Sequence, residues 1–440
     1  MSTTKAKNMA KLWILTGLGV LYYMVPFTVD GELTMCIAFL KDLVLNNFNS
    51  VIIAAIVLTM VAIAIITVLC AMHVLKPQKG FLQEFFKTSY YTLCIRIVAA
   101  IISVAVYFEL GPEALLSVDT GGLIINDLMP TLVCLFFFAL LLIPLLLEFG
   151  GVEILGRILQ PVFYPLFKVR GSASVLAIIS WLGTGSSGMI LTDKAFSEQK
   201  ITQKEATVIT LCLATISFPT MFVYATGIAG LNSNYFPFMI CAVLICLGIS
   251  TAILSRIPTI SNKNNEVNHS EAEQQISWKE EIERAATIAG NGPGPVEILK
   301  KCCDTVLYLI IEVFPSVIVI ATLVLMLATY TPTFQVMSMP LVPLLTLLGL
   351  PEAQAAAPAF IIGFADIILP YLTASTIDSQ LTIFVICVVA INQIFGCSEQ
   401  VMILLKSKFD IKVWDLVLNF ILKTIICVPI AYFLGVLFGI

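Results

Sequence analysis

Long apolar stretches bounded by charged or turn-forming residues dominate the hydropathy pattern of this chain. A helix needs roughly 20 apolar residues to cross a hydrocarbon core about 30 Å thick. Stretches of that length predict nine membrane-spanning helices, at residues 11–30, 50–75, 92–110, 128–148, 205–230, 235–255, 304–330, 380–404 and 412–438. The expected fold class is therefore an all-α polytopic membrane protein with about nine transmembrane helices.

The composition agrees with this pattern and excludes several classes of function. Hydrophobic residues make up 59% of the 440 residues and charged residues only 12%, whereas about 25% of residues are charged in soluble proteins. The net charge of −4 offers no basic surface, so we expect no nucleic-acid partner. The 12 cysteines and two histidines show no ligand spacing, so neither a metal site nor a cofactor is expected.

Lysine and arginine are distributed unevenly among the connections. With a cytoplasmic N-terminus, the outward-facing connections contain one basic residue, Lys41, and the inward-facing ones hold nearly all the others. Because positive loops stay on the cytoplasmic side, this asymmetry predicts a bacterial-type inner (plasma) membrane protein with its C-terminus outside. It requires two further apolar segments, near 172–192 and 354–375, to enter and leave the membrane on the same side.

Residues 257–302 form the long polar segment between apolar stretches. Within it Trp278, Ile282, Ala285 and Ala289 recur at helical spacing beside acidic side chains, which predicts a short amphipathic helix. We interpret the segment as a cytoplasmic linker; a regulatory or partner-binding helix is the alternative.

The same order of elements occurs on both sides of this linker. A span, an amphipathic stretch, a half-length segment and two further spans follow one another in each case, with the amphipathic stretches at 152–167 and 334–350. Three spans precede the first set and six precede the second, so the two sets have opposite orientations. Such an inverted repeat is typical of secondary transporters. It predicts four regions: 1–127 (three N-terminal helices), 128–256 (first repeat), 257–302 (linker) and 303–440 (second repeat).

Each half-length segment has the size of a re-entrant helical hairpin. About 11 residues lead from Ser172 to Gly183 and from Glu352 to Gly363, and at about 1.5 Å per residue such an arm reaches roughly half of the bilayer. The two hairpin tips are therefore expected to meet near the middle of the membrane. Non-helical backbone is tolerated there only where protein or a wet cavity surrounds it.

Two motifs, 183–193 and 363–370, carry a family resemblance that covers residue 128 to the C-terminus. This region resembles the nucleoside-recognition, or Gate, domain membrane proteins and looks most like their YjiH-like branch; concentrative nucleoside transporters are distantly similar. The resemblance implies that the hairpin tips and the broken helices after them hold a solute and a coupling ion. No G-x-x-x-x-G-K-[ST] loop occurs, so the GTP-driven machinery of ferrous-iron transporters, which are wider relatives, is not expected in this chain.

Candidate solute-binding residues lie in both tips and in the spans behind them. Backbone N–H groups at the start of the outgoing half-helix of the first tip would attract carboxylate or phosphate; the alternative is that small residues only turn and pack there. The candidates are Gly183, Thr184, Gly185, Ser186, Ser187, Gly188, Thr220, Gly363, Phe364, Asn392, Gln393 and Ser398.

Ionisable residues in apolar surroundings are candidates for ion coupling. A carboxylate inside a membrane calls for a cation, a proton or a partner, which predicts Na⁺ or H⁺ coupling at Asp366 and Glu399, with Ser217 and Pro219 at an interruption of the preceding repeat. The alternatives are that Asp366 caps its own half-helix and that Glu399 is a protonated or snorkelling side chain.

A second set of ionisable residues predicts a charge network. Glu312 and Lys423 lie deep within spans and are expected to pair, because a buried pair costs less than two lone charges. Asn419 lies one turn before Lys423 and is expected to join them.

These patterns predict an ion-coupled secondary transporter, a symporter, of a small polar or anionic organic solute, with alternating access. Nucleosides, amino acids and small peptides remain open as solutes. A non-transporting scaffold, or a subunit of a larger membrane assembly with a homo-oligomeric or companion partner, is the alternative. An enzyme is not expected, because the sequence has no nucleophile with a base, no metal cluster and no phosphate loop.

Overall fold

The computed structural model describes residues 3–29, 31–72, 90–182, 185–263, 277–393, 400–405 and 407–440. Across these ranges the chain is helical apart from one short strand pair and the connections. Seven helical stretches are long and apolar enough to cross a membrane. The all-α polytopic membrane class is therefore confirmed, and the number nine for the spans stays a prediction.

The helices up to residue 263 cover the N-terminal region, the first repeat and the start of the linker. In chain order they are Thr3–Met24, Cys36–Ala71, Tyr90–Tyr107, Glu113–Leu116, Gly121–Leu123 with the π turns Ile124–Leu128, Met129–Leu147, Gly151–Phe167, Gly171–Leu182, Gly185–Ser197, Gln203–Thr207 with Val208–Leu213, Phe218–Phe222 with Val223–Ile228, Ser233–Tyr235, Phe236–Leu254 and Pro258–Ser261.

The helices of the linker and of the second repeat complete the described chain. They are Trp278–Asn291, Pro295–Tyr308 with the π turns Leu309–Val313, Phe314–Tyr330, Thr333–Ser338, Val342–Leu348, Ala353–Ile362, Leu369–Ala374, Gln380–Gln393, Gln400–Leu405 and Val413–Leu437.

The predicted first span at 11–30 has the wrong limits. Its helix begins at Thr3 and ends at Met24, and an antiparallel strand pair, Phe27–Val29 with Glu32–Thr34, follows it. Helical backbone is disfavoured at the residue before a proline, and Pro26 lies at this boundary. Gly31 has a φ of 87°, which suits a hairpin turn. Because lysines occupy the first half of the helix, its apolar part is shorter than that of the seven long spans.

Both predicted hairpins consist of two short packed helices. In the first hairpin the arms have 12 and 13 residues, Gly171–Leu182 and Gly185–Ser197. In the second they have 10 and 6 residues, Ala353–Ile362 and Leu369–Ala374. At about 1.5 Å per residue no arm reaches the roughly 30 Å needed to cross a bilayer. Their lengths fit re-entrant segments.

The span that follows the first hairpin is broken, as its sequence predicts. One half ends at Leu213, the backbone at Ala214 is extended, and the other half begins at Phe218. This break lies in the stretch that contains the predicted Ser217 and Pro219, and it exposes the end of one half-helix and the start of another inside an apolar region.

Two compact units make up the chain. One contains 1–37, 141–298 and 338–440, and therefore both hairpins and the broken helix; the other contains 38–140 and 299–337. The core of the first unit gathers apolar side chains from both repeats, among them Phe163, Cys212, Phe409 and Phe420.

The amphipathic linker helix is confirmed as Trp278–Asn291 and packs along Thr3–Met24. Ala285, Ala286 and Ala289 are buried in this contact. At its polar edge Lys5 Nζ lies 2.6 Å from Glu283 Oε1, and this lysine lowers the pKa of the carboxyl. The linker thus has a docking site on the first helix of the chain.

Candidate functional site

The broken end of the helix at Leu213 is closed by donor side chains from other elements. The last carbonyls of a helix lack intrahelical partners, and apolar surroundings cannot satisfy them. Three side chains donate hydrogen bonds to three successive carbonyls: Asn419 Nδ2 to Leu211 (3.0 Å), Lys423 Nζ to Cys212 (3.0 Å) and Trp181 Nε1 to Leu213 (2.6 Å). The first hairpin and the last helix therefore both contact this break.

Lys423 is fully buried at this break. Its Nζ donates a second hydrogen bond, of 2.7 Å, to the carbonyl of Asn392 in the helix Gln380–Gln393. An ammonium group in such surroundings costs several kcal/mol unless it is well solvated by protein groups. Carbonyl oxygens at the C-terminal end of a half-helix supply that solvation, because the helix dipole is negative there.

The expected pairing of Glu312 with Lys423 is wrong. Glu312 Oε1 accepts a hydrogen bond of 2.6 Å from Arg96 Nη2, and Arg96 Nη1 donates to Thr67 Oγ1 at 3.1 Å. Glu312 thus neutralises the Arg96 guanidinium, which is 1% exposed, whereas the partners of Lys423 are backbone carbonyls. Asn419 and Lys423 do act together, since they bind the neighbouring carbonyls of Leu211 and Cys212.

Gln393 joins the second hairpin to the last helix. Its Nε2 donates to Phe360 O at 2.9 Å and to Thr424 Oγ1 at 2.5 Å. Its Oε1 lies 3.2 Å from the position that a Cβ of Gly363 would take, and Pro370 lies 2.9 Å from the same position. The predicted tip residue Gly363 and the predicted span residue Gln393 are thus brought together, and the tip has no room for a side chain.

Two amide oxygens on successive residues of the helix Gln380–Gln393 are each buried without a hydrogen-bond donor among the described residues. They are Asn392 Oδ1 and Gln393 Oε1, and their residues are 0% and 2% exposed. A buried acceptor without a donor costs about 1–3 kcal/mol. Gln393 Oε1 lies at the second tip and can accept a hydrogen bond from a hydroxyl, amine or amide group of a ligand. The Asn392 amide is turned toward the helix Phe236–Leu254, where its Nδ2 lies 3.5 Å from Val243 O.

Asp366 lies in the second tip and is 3% exposed. Its Oδ1 accepts a hydrogen bond of 3.1 Å from the backbone N–H of Ile368, directly before the half-helix Leu369–Ala374. The bond closes a turn that ends at the residue before the half-helix, so the capping role and the ion-ligand role of Asp366 both stay predictions. Beside it, the Phe364 ring packs edge-on against Phe420 with centroids 5.3 Å apart.

The first tip is described only in part. Gly183 and Thr184 lie outside the described residues, and the backbone from Gly185 onward, including Ser186 and Ser187, is helical. A Cβ at Gly188 would overlap Ser180 Oγ on the opposite arm. For Gly188 the structure thus supports close packing of the arms, the second of the two roles expected for the small residues.

Ser217 and Thr220 face each other at the start of the outgoing half of the broken helix. Their hydroxyl oxygens are 2.8 Å apart, and both residues are 6% exposed. Pro219 lies in the first turn of that half, where an N–H has no intrahelical partner anyway. Proline therefore starts this half-helix instead of interrupting an established one.

Ser398 and Glu399, predicted for solute and ion binding, lie outside the described residues. Within the described ranges no group of three or more His, Cys, Asp or Glu side chains could hold a metal ion. The sequence analysis missed Trp181, Arg96 and Thr424. Each is a polar or hydrogen-bonding side chain in an apolar run, which was the available signal.

Comparison with known proteins agrees with the predicted family. The model of the family described as "Gate: Nucleoside recognition" matches residues 129–230, which include the first hairpin and the broken helix. An uncharacterized protein of Alkalihalophilus pseudofirmus is 34% identical over 452 residues, and the alignment covers 100% of this chain and 96% of the relative.

Two solved structures of CNTnw are also similar at 12% identity. One, in an inward-facing substrate-bound state, has a TM-score of 0.45, and the alignment covers 100% of this chain and 99% of the CNTnw chain. The other, a doubly substituted form in an outward-facing state, has a TM-score of 0.41, and the alignment covers 99% of this chain and 100% of the CNTnw chain. The assignment to the YjiH-like branch stays a prediction. With a Gate domain at 129–230 and a relative similar over its full length, the chain belongs to the family of this Alkalihalophilus pseudofirmus protein, a family of Gate-domain membrane proteins.

Proposed function

We propose that this protein carries nucleosides, or small polar solutes of similar chemistry, across the membrane by alternating access. The observation that carries the proposal is the buried amide oxygen of Gln393 beside the second hairpin tip, with a second buried amide oxygen on the neighbouring Asn392. The match of 129–230 to a nucleoside-recognition family supports the same solute class.

The chemistry of a nucleoside suits these two oxygens. Ribose hydroxyls and exocyclic amines are donors, and a site built from buried acceptors discriminates strongly against analogues that lack the donor. Amino acids and small peptides also bring N–H donors, so they are the competing solutes in the test.

Transport is favoured over a scaffold role by the interrupted elements. Two hairpins with arms too short to cross a bilayer, and a broken helix beside them, place polar backbone in the apolar part of the first compact unit. Such breaks are typical of the binding sites of secondary transporters. A scaffold would have no need of buried acceptors without donors.

Ion coupling at the second tip is part of the proposal. Asp366 is the buried carboxylate of that tip, and its protonation or its contact with a cation would accompany the movement of the hairpin. The orientation that goes with the proposal has the N-terminus inside and the C-terminus outside.

The decisive experiment is a ligand screen followed by uptake. Purified protein in lipid nanodiscs is heated with uridine, adenosine, amino acids or dipeptides, and each compound that raises the melting temperature is tested for counterflow into proteoliposomes. We expect nucleosides to give both a shift and uptake. No shift and no uptake with any nucleoside would contradict the proposed solute.

A pair of variants on one helix locates the site. Gln393→Ala should weaken nucleoside binding roughly 5- to 150-fold, which corresponds to about 1–3 kcal/mol for a lost buried hydrogen bond. Gln380→Ala is the matched control, because Gln380 bonds Asn232 N and Gly230 O at an exposed position of the same helix. Equal affinity of both variants would remove Gln393 from the site.

A further inference from the structure

Lys423 stands where a transporter of this architecture would hold a free coupling cation. In secondary transporters, unwound backbone carbonyls and the C-terminal ends of half-helices coordinate sodium. Here the corresponding end is that of Gln203–Thr207 with Val208–Leu213, and the Lys423 ammonium is 3.0 Å from its Cys212 carbonyl.

From this position we infer that Lys423 is the resident cation of the site and that transport proceeds without sodium. The inference rests on the proposed function and specifies its coupling: the charge that sodium would bring is already attached to the protein by the last helix.

The carbonyls of the broken end are occupied by the protein's own donors. Besides its bond to Lys423, the Cys212 carbonyl accepts a hydrogen bond of 3.2 Å from Thr251 Oγ1. The carbonyls before and after it are bound by Asn419 and Trp181. A sodium ion entering this end would have to displace these donors and approach an ammonium group, and like charges at contact distance repel strongly in a low dielectric.

The second partner of the ammonium makes the cation a link between elements. Lys423 Nζ also binds the carbonyl of Asn392, whose side-chain Oδ1 is buried without a donor among the described residues. The cation therefore holds the broken helix of the first repeat to the helix of the second repeat that carries the proposed solute acceptors.

A covalently attached cation has a consequence for stoichiometry. Sodium would cross with the solute, whereas the ammonium stays with the protein through the cycle. Uptake of a neutral solute then carries no sodium charge, and any coupling is left to a proton at a group such as Asp366.

The first test measures the melting temperature of the full-length protein in nanodiscs. Wild-type protein is heated in NaCl, KCl or choline chloride at equal ionic strength, and we expect the three melting temperatures to agree. A saturable stabilisation by sodium over choline would overturn the inference, whatever the variants do.

The second test replaces the cation chemically. Lys423→Ala leaves the Cβ and removes a propylammonium group, so we expect a lower melting temperature that n-propylammonium chloride recovers by at least half. Leu416→Ala is the control, because Leu416 is 1% exposed on the same helix and its truncation creates a cavity without removing a charge. We expect n-propylammonium not to restore the melting temperature of this variant. A destabilised Lys423→Ala protein that no alkylammonium or alkali ion restores would contradict the inference.

The uptake assay separates this inference from the proposed function. Nucleoside counterflow that is equal in sodium and in choline supports the resident cation, and counterflow that requires sodium overturns it while transport stands. If no nucleoside is taken up in either salt, the proposed function fails, and the melting experiments alone then decide the role of Lys423.

Discussion

The ion pair of Arg96 with Glu312 provides a quantitative test of the second compact unit. Replacing Glu312 by glutamine removes the ionic partner of a guanidinium that is 1% exposed, and replacing Arg96 by methionine removes the cation from a carboxylate that is 30% exposed. Both residues lie in helices long and apolar enough to cross a membrane.

The size of the effect follows from the geometry. With a contact of 2.6 Å between Nη2 and Oε1, the charge centres are about 4 Å apart, which gives roughly 4 kcal/mol at an effective dielectric constant of about 20. Because Glu312 is partly open to its surroundings, screening reduces this, and we expect a coupling free energy of about 2 kcal/mol. In each single variant the free energy of unfolding should fall by about 3 kcal/mol, since the substitution leaves an uncompensated charge.

A double-mutant cycle measures that coupling. Unfolding is followed in nanodiscs or in mixed micelles with increasing denaturing detergent, for wild-type protein, Glu312→Gln, Arg96→Met and the double variant. The double variant should be more stable than the sum of the single effects predicts. Glu113→Gln combined with Arg96→Met is the control, because Glu113 is exposed in the same unit, and this pair should be additive. Additive losses for Arg96 and Glu312 would refute the assigned pairing.

Three further outcomes are expected. Gly188→Ala should lower the melting temperature, because its methyl group overlaps Ser180 Oγ, and Ser180→Gly in the same protein should restore part of the loss. Asp366→Asn should abolish proton-driven uptake with normal insertion, and full uptake would exclude Asp366 from coupling. Lys5 lowers the pKa of Glu283, so the linker contact should persist at neutral pH and weaken as pH falls through that lowered value; proteolysis of the linker that stays equally slow throughout an acid titration of the folded protein would contradict this.

Elements that depend on local sequence were predictable. The apolar spacing beside Trp278 gave the linker helix, because an amphipathic face is visible in a single segment. The break before Phe218 was visible as a polar residue and a proline within an apolar run. The end of the first helix was not predictable, since its apolar stretch continues into the first strand of the strand pair.

Partners across the fold were much less predictable. Arg96 and Glu312 are 216 positions apart, and the sequence predicted no partner for Arg96 within the span at 92–110. Lys423 was recognised as deeply placed, but its acceptors are backbone carbonyls, which every residue has. The break at Leu213 makes the Cys212 carbonyl available, and the second acceptor, the Asn392 carbonyl, comes from a helix of the other repeat.

The indole of Trp181 provides an optical signal for movement of the first hairpin. Its Nε1–H donates to the Leu213 carbonyl at 2.6 Å, whereas Trp13, Trp278 and Trp414 are 51%, 49% and 74% exposed. With those three replaced by phenylalanine, the emission maximum would report whether the indole keeps its carbonyl. A shift of the emission maximum after a solute is added would then show that the hairpin moves away from the broken helix, and no attached dye is needed.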